Sequence, residues 1–117
     1  MKNNIIKEKS YVFAIRIVKL YKHLAESKKE FVLSKQLLRS GTAIGALVRE
    51  SEHAESKADF VHKLSIALKE ANETEYWLML LKDTDYISAK EFESIIADIA
   101  ELLKLLTAII KTSKSRK

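Results

Sequence analysis

Residues 88–110 read SAKEFESIIADIAELLKLLTAII. Ser88 is followed three residues later by Glu91, the spacing at which a hydroxyl and a carboxylate exchange hydrogen bonds with the first free amides of a helix. Beyond that start signal, Phe92, Ile95, Ile99, Leu102, Leu106 and Ile109 recur at alternating steps of three and four. A strand would place apolar residues at every second position. Steps of three and four make an a/d seam, which lines one side of a helix packed in a bundle. Ile96, Leu103 and Ile110 add a third apolar position per heptad and widen the seam into a buried stripe.

The same start signal occurs upstream, at Ser56-Lys57-Ala58-Asp59 and at Ser27-Lys28-Lys29-Glu30. Each is followed by a helical stripe: Leu33, Leu37, Ile44 and Val48 after the first, Phe60, Leu64, Ala67, Ala71 and Leu78 after the second. An earlier stripe holds Phe13, Ile17, Leu20 and Leu24. The pattern predicts helices over 11–25, 28–54, 57–83 and 89–112, followed by a basic tail over 111–117. The links are so short that successive helices must run antiparallel. The fold class is therefore all-α, an antiparallel up-down-up-down four-helix bundle, with residues 1–117 forming a single domain.

Composition agrees. The chain has 117 residues, 47% of them apolar, which suffices for one core. It has no Pro and two Gly, too few turn formers for a sandwich or barrel. With no Cys there is no disulfide, thiolate metal site or cysteine nucleophile. No apolar run approaches the roughly 20 residues that cross a bilayer, and no signal-peptide cleavage site follows the first apolar stretch. The expectation is a cytoplasmic protein with no membrane partner. Gly41 and Gly45 fall mid-helix, where each costs about 1 kcal/mol against Ala. Four apart, they share one face and point to close approach of another helix. No strand precedes them and no Lys-Ser/Thr follows, so they do not form a phosphate loop.

Two segments exceed what one bundle buries. Tyr76-Trp77-Leu78-Met79-Leu80-Leu81 is apolar in every direction around helix 3, and Tyr11 to Val18 is nearly so apart from Arg16. A helix apolar all round requires burial on two sides. The second side is assigned to another copy of the chain, with Tyr76, Trp77, Met79 and Leu80 as interface residues of a homo-oligomer.

The net charge of +5 conceals segregation: residues 1–49 sum to +8, residues 50–101 to −8 and residues 102–117 to +5. Such asymmetry means either a basic surface for an acidic partner or complementary faces that pair with one another. On helix 2, Lys28, Lys35, Arg39 and Arg49 fall within an arc opposite the core. On helix 1, Lys9, Arg16 and Lys19 share a flank. Together they are the candidate nucleic-acid-binding set, because ordered cations can track a phosphate backbone.

The remaining polar clusters argue against catalysis. Glu50-x-x-His53 and its near copy Asp59-x-x-His62 have the spacing of di-iron bundle ligands, but they flank the 2–3 turn and lack inward carboxylates from the other helices. No nucleophile–base–orienter set appears. No enzyme activity, cofactor or metal is expected. Glu75 lies on the flank of the helix 3 core face. With helices 2 and 3 antiparallel it stands level with Gln36, near Arg39, with Arg16 at a similar level. Glu50, Glu73 and Glu75 are therefore read as a structural polar network, in which a desolvated carboxylate must be paired.

Ser40-Gly41-Thr42-Ala43-Ile44-Gly45-Ala46, Glu50, Ala58-Asp59-Phe60 and the run from Ile66 to Leu78, IALKEANETEYWL, resemble the bacterial four-helix-bundle family of 23S rRNA intervening-sequence proteins. The likeness covers about residues 9–110. That family is similar to the accessory variability proteins of diversity-generating retroelements, which form pentameric barrels with a basic surface and bind nucleic acid and a reverse transcriptase. The resemblance implies an up-down-up-down bundle, pentamers, and association with RNA or DNA in place of catalysis. At the end of helix 2, where many members read Asn-Ile-Ala-Glu-Gly, this chain has Leu47-Val48-Arg49-Glu50-Ser51; only the Glu is kept and Arg49 replaces a small residue. A shared partner does not follow from the resemblance. The alternative reading is an oligomeric scaffold for a protein partner, in which the basic charge is incidental.

Overall fold

The stripes of apolar residues do converge on one core. The computed structural model describes residues 2–116, with side chains from residue 5 onward. Four α-helices follow in order: α1 (Lys2–Glu26), α2 (Leu33–Ser51), α3 (Lys57–Asp83) and α4 (Ala89–Ser115). Among the described residues there is no strand. α1 packs on α2 and α4, and α3 packs on α2 and α4, so α1 and α3 lie diagonally across the core, as do α2 and α4. The bundle measures 49 × 21 × 20 Å. Phe13, Ile17, Leu37, Ile44, Leu64, Leu78, Ile99, Leu102 and Leu106 are fully buried. Each such side chain contributes about 1.5–3 kcal/mol of transfer free energy.

α3 has the bounds its sequence implies. The others differ. α1 begins at Lys2 and not near residue 11. Ile6, seven residues before Phe13, carries the buried stripe one heptad further back and is 2% exposed. α4 continues past 112 to Ser115.

α2 starts at Leu33, and the expected start at Ser27 is wrong. Lys29 has φ 56, in the left-handed region, which no helix can pass through. The Glu30 N–H donates 2.9 Å to the Leu24 carbonyl, completing the reversal. The Glu30 carboxylate then accepts the N–H groups of Val32, Leu33 and Ser34, at 3.2, 2.9 and 2.7 Å. Glu30 thus caps α2 from before its first residue, the reverse of the role expected for it within a Ser27 box. Lys28 consequently lies in the 27–32 link and not on the α2 stripe. At the other end, α2 stops at Ser51, short of residue 54.

The remaining ends follow ordinary capping chemistry. Ser88 and Glu91 form a full capping box at α4. Ser56 accepts the Asp59 N–H at 3.0 Å, while Asp59 reaches past Ser56 to the Glu55 N–H. α3 ends with Asp85 at φ 68, the Tyr86 N–H reaching back to the Leu81 carbonyl at 2.9 Å and the Asp85 N–H to the Lys82 carbonyl at 3.0 Å. That is a Schellman stop with Asp in the left-handed position usually taken by Gly or Asn.

Both glycines serve the α1–α2 contact. A Cβ at Gly41 would lie 2.8 Å from Ile17 Cγ1, and one at Gly45 would lie 3.3 Å from the backbone oxygen of Ser10. Ala67 and Ala71, both fully buried, keep the α3 core face small where it faces its neighbours. In the α2–α3 contact the Thr74 hydroxyl donates 2.9 Å to Ser40 Oγ. No buried side-chain polar atom lacks a partner among the described residues.

Candidate nucleic-acid interface

Part of the segregated charge of the sequence is paired between helices. Lys9 and Arg16 of α1 meet α4: Lys9 Nζ lies 3.2 Å from Glu101, and Arg16 contacts Asp98 at 2.5 Å and Ser94 Oγ at 3.0 Å. Lys7 of α1 reaches Glu52 at 3.1 Å. Arg39 of α2 meets α3, with Glu70 at 3.2 Å and Glu73 in direct contact. The basic flank of α1 is therefore the seam with α4, and Arg39 of the α2 stripe turns to α3.

The candidate set divides accordingly. Lys9, Arg16 and Arg39 hold acid partners. Arg49 lies over the Tyr11 ring, 5.3 Å from its centroid, a cation–π contact between α2 and α1. Lys19, Lys28 and Lys35 are exposed and have no ion pair among the described residues.

The carboxylate network also differs from expectation. Glu73 is its centre. It pairs with Arg39 and accepts the Trp77 indole N–H at 3.0 Å. The Trp77 and Arg39 contacts together hold its carboxyl below the ordinary value, and Glu73 in turn holds the Arg39 guanidinium above its own. Glu50 pairs with Lys63 at 3.0 Å and raises the Lys63 pKa. Glu75 is half-buried and has no hydrogen-bond or ion-pair partner among the described residues, so the expected pairing with Gln36 or Arg39 does not form. Glu75 shares its helix face with Lys82 seven residues on, and the Lys82 ammonium sits 4.7 Å from the Phe92 ring of α4. That flank faces away from α2.

The interface residues chosen from sequence separate into two kinds. Tyr76 and Met79 are 57% and 48% exposed. Trp77 and Leu80 are half-buried, and Trp77 packs on the core with its ring edge-on to Tyr76 at 5.1 Å. α1 carries a longer outward apolar stripe: Ile5, Tyr11, Val12, Ile15 and Val18 are all exposed. At about 100° per residue this stripe lies roughly opposite the buried one. Because α1 and α3 are diagonal, the two outward faces look to opposite sides of the bundle.

Residues 2–108 match the 23S rRNA-intervening sequence protein family. The chain belongs to this family. A crystal structure of a protein of unknown function from the S23 ribosomal protein family of Bacteroides thetaiotaomicron VPI-5482 is 62% identical, with a TM-score of 0.93, over 95% of this chain and 99% of that one. No curated protein matches the chain. Family membership carries the four-helix fold and names no reaction.

The metal-like motifs have structural uses. Glu50 is held by Lys63 and Asp59 caps α3, while His53 and His62 are exposed. Among the described residues no group of three His, Asp or Glu side chains is placed to hold a metal ion, and no helix is long and apolar enough to cross a membrane.

Sequence reasoning missed a cleft of about 540 Å³ between the C-terminal part of α1 and the start of α4. Lys19 and His23 line it from α1, and Lys90 from α4. His23, one turn from Lys19, was visible only as a surface residue among lysines. Lys90 could be joined to it only once the α1–α4 seam was known.

Proposed function

We propose that this chain is a non-catalytic bundle that assembles into a ring and binds RNA or another nucleic acid through the cations its own acids leave unpaired. The observation that carries the reading is that division of charge. Carboxylates of α3 and α4 pair with Lys9, Arg16 and Arg39, while Lys19, Lys28 and Lys35 remain exposed without ion pairs among the described residues. Cations with no internal role are the ones available to release counterions from a phosphate backbone.

The outward faces support assembly. One copy's α1 stripe and the next copy's α3 face, around Tyr76 and Met79, are distinct surfaces on opposite sides. Joining unlike faces makes head-to-tail contacts, and these close into a ring when the rotation permits. Five copies is the number the family resemblance implies. A ring multiplies every basic site, so weak single-copy contacts add.

A protein partner is the second reading. Phe31 and Val32, exposed at 52% and 71% in the 27–32 link, form an apolar tip that phosphate binding does not use. The test is binding of a short fluorescent single-stranded RNA by the intact protein, beside the double variant Lys19→Glu, Lys35→Glu. Affinity should fall by roughly tenfold or more as two phosphate contacts are reversed. No binding by the wild-type protein at low salt favours the protein scaffold.

A further inference from the structure

The cleft between α1 and α4 is lined by both aliphatic and cationic side chains. Its volume of about 540 Å³ lies within the range of roughly 300–1,000 Å³ typical of small-ligand sites. Its floor is aliphatic: Leu20 of α1, Ile87 of the 84–88 link and Ile95 of α4. Lys19, His23 and Lys90 stand on its rim, and none has an ion pair among the described residues.

Two acids stand nearby and both are engaged. Glu91 lines the cleft, but its carboxylate accepts the Ser88 N–H at 2.8 Å in the α4 cap. Asp98 is bound to Arg16. The Arg16 guanidinium is held by Asp98 at 2.5 Å, Ser94 Oγ at 3.0 Å and the Ser94 carbonyl at 3.4 Å. A guanidinium fixed by its edge keeps its faces for stacking, and an ordered Arg plane is a platform for an unstacked base.

An apolar floor, a fixed planar cation and a cationic rim are complementary to one ligand chemistry: a flat, largely apolar ring joined to a phosphate. We infer that the α1–α4 cleft takes one nucleotide of a single-stranded nucleic acid, with the base over Leu20, Ile87 and Ile95 beside Arg16 and the adjoining phosphate on Lys19 and Lys90. A duplex keeps its bases stacked inside and has no base to offer such a cleft. This inference rests on the nucleic-acid reading above and moves its centre from the α2 stripe to the α1–α4 seam.

The experiment is methyl NMR of the intact, methyl-labelled protein titrated separately with a short oligoadenylate RNA, with AMP and with inorganic phosphate, alongside anisotropy of the same RNA. The RNA should shift the methyl signals of Leu20, Ile87 and Ile95 saturably, at the concentrations where anisotropy rises. Lys90→Ala should weaken RNA binding by roughly three- to tenfold, the loss of about one phosphate contact at low salt, and Lys35→Ala by less. Lys90 makes no hydrogen bond or ion pair among the described residues, so its loss should leave the melting temperature unchanged. RNA binding without shifts at these methyls overturns the cleft and leaves the nucleic-acid reading standing. Absence of RNA binding overturns both. Shifts with AMP but none with RNA overturn the single strand as the source, and equal shifts with inorganic phosphate overturn recognition of a base.

Discussion

Gly41 of α2 rests directly on Ile17 of α1: a Cβ at position 41 would stand 2.8 Å from Ile17 Cγ1 and 2.9 Å from Cγ2. Ile17 is fully buried, and its β-branched side chain has few rotamers with which to move aside. Gly41→Ala would gain about 1 kcal/mol in helix propensity but overpack the seam at a cost of about 1–3 kcal/mol. The variant should melt below wild type, whereas Ala at a solvent-facing helical glycine would raise the melting temperature.

Glu30 supplies a second test at the N-terminal end of α2. Its carboxylate caps three N–H groups, so Glu30→Ala should cost about 0.5–2 kcal/mol at neutral pH. Burial pushes the Glu30 pKa up, but the hydrogen bonds from Leu33, Ser34 and Val32 outweigh it, and the folded-state pKa lies below the ordinary 4.5. A lowered carboxyl stabilises the fold above the unfolded-chain value and loses that contribution as pH falls through the folded one. Thermal melts at neutral pH and well below 4.5 should show the gap between wild type and Glu30→Ala narrowing in acid. A constant gap would mean that the charge is not what caps α2.

The helix count, the antiparallel order and most of the buried apolar positions were legible in the sequence, because a stripe at steps of three and four marks one helix face. Gly41 and Gly45 were legible as a close contact for the same reason. Ile6, Leu81 and Ile87 were not, since they lie before the first stripe, inside an all-round apolar run and in a link. Nor was the start of α2. Ser27 and Glu30 have capping-box spacing, and only the left-handed Lys29 shows that the chain turns between them. Glu75 was misplaced because an antiparallel alignment gives level and not flank: residues level with Arg39 include both Glu73 and Glu75, which lie on opposite sides of α3. The cleft was hidden because it joins residues far apart in the chain, Lys19 and Lys90, across a seam no local pattern announces.

The two glutamates can be separated directly. Glu73→Gln weakens the contacts to Arg39 and Trp77 and should cost about 0.5–1 kcal/mol, the range for a partly exposed charged hydrogen bond. Glu75→Gln should stay within about 0.5 kcal/mol of wild type. Chemical denaturation of the two variants checks the order, and a larger loss at Glu75 would contradict the network described.

Assembly is tested on residues the single bundle leaves uncovered. Light scattering of the wild-type protein should give a mass several times 13.4 kDa. Val12→Glu on α1 and Met79→Glu on α3 are 58% and 48% exposed in one copy, so neither should unfold the chain. Each should break the ring, since an unpaired charge in an interface costs several kcal/mol. Helical circular dichroism at wild-type level with a reduced mass is the expected pair of results, and wild-type mass in both variants would remove the two faces from the interface.

The most direct measurement of the central claim is the salt dependence of RNA binding by the intact wild-type protein. Contacts between lysine and phosphate release counterions, so the logarithm of affinity should fall linearly with the logarithm of salt concentration, at a slope of about −0.7 per phosphate for a single strand. A slope equivalent to several phosphates, with all sequences of equal length affected alike, is the predicted result, because phosphate contacts position a strand without reading it. Absence of binding at low salt, or binding whose affinity does not change with salt, would contradict the account.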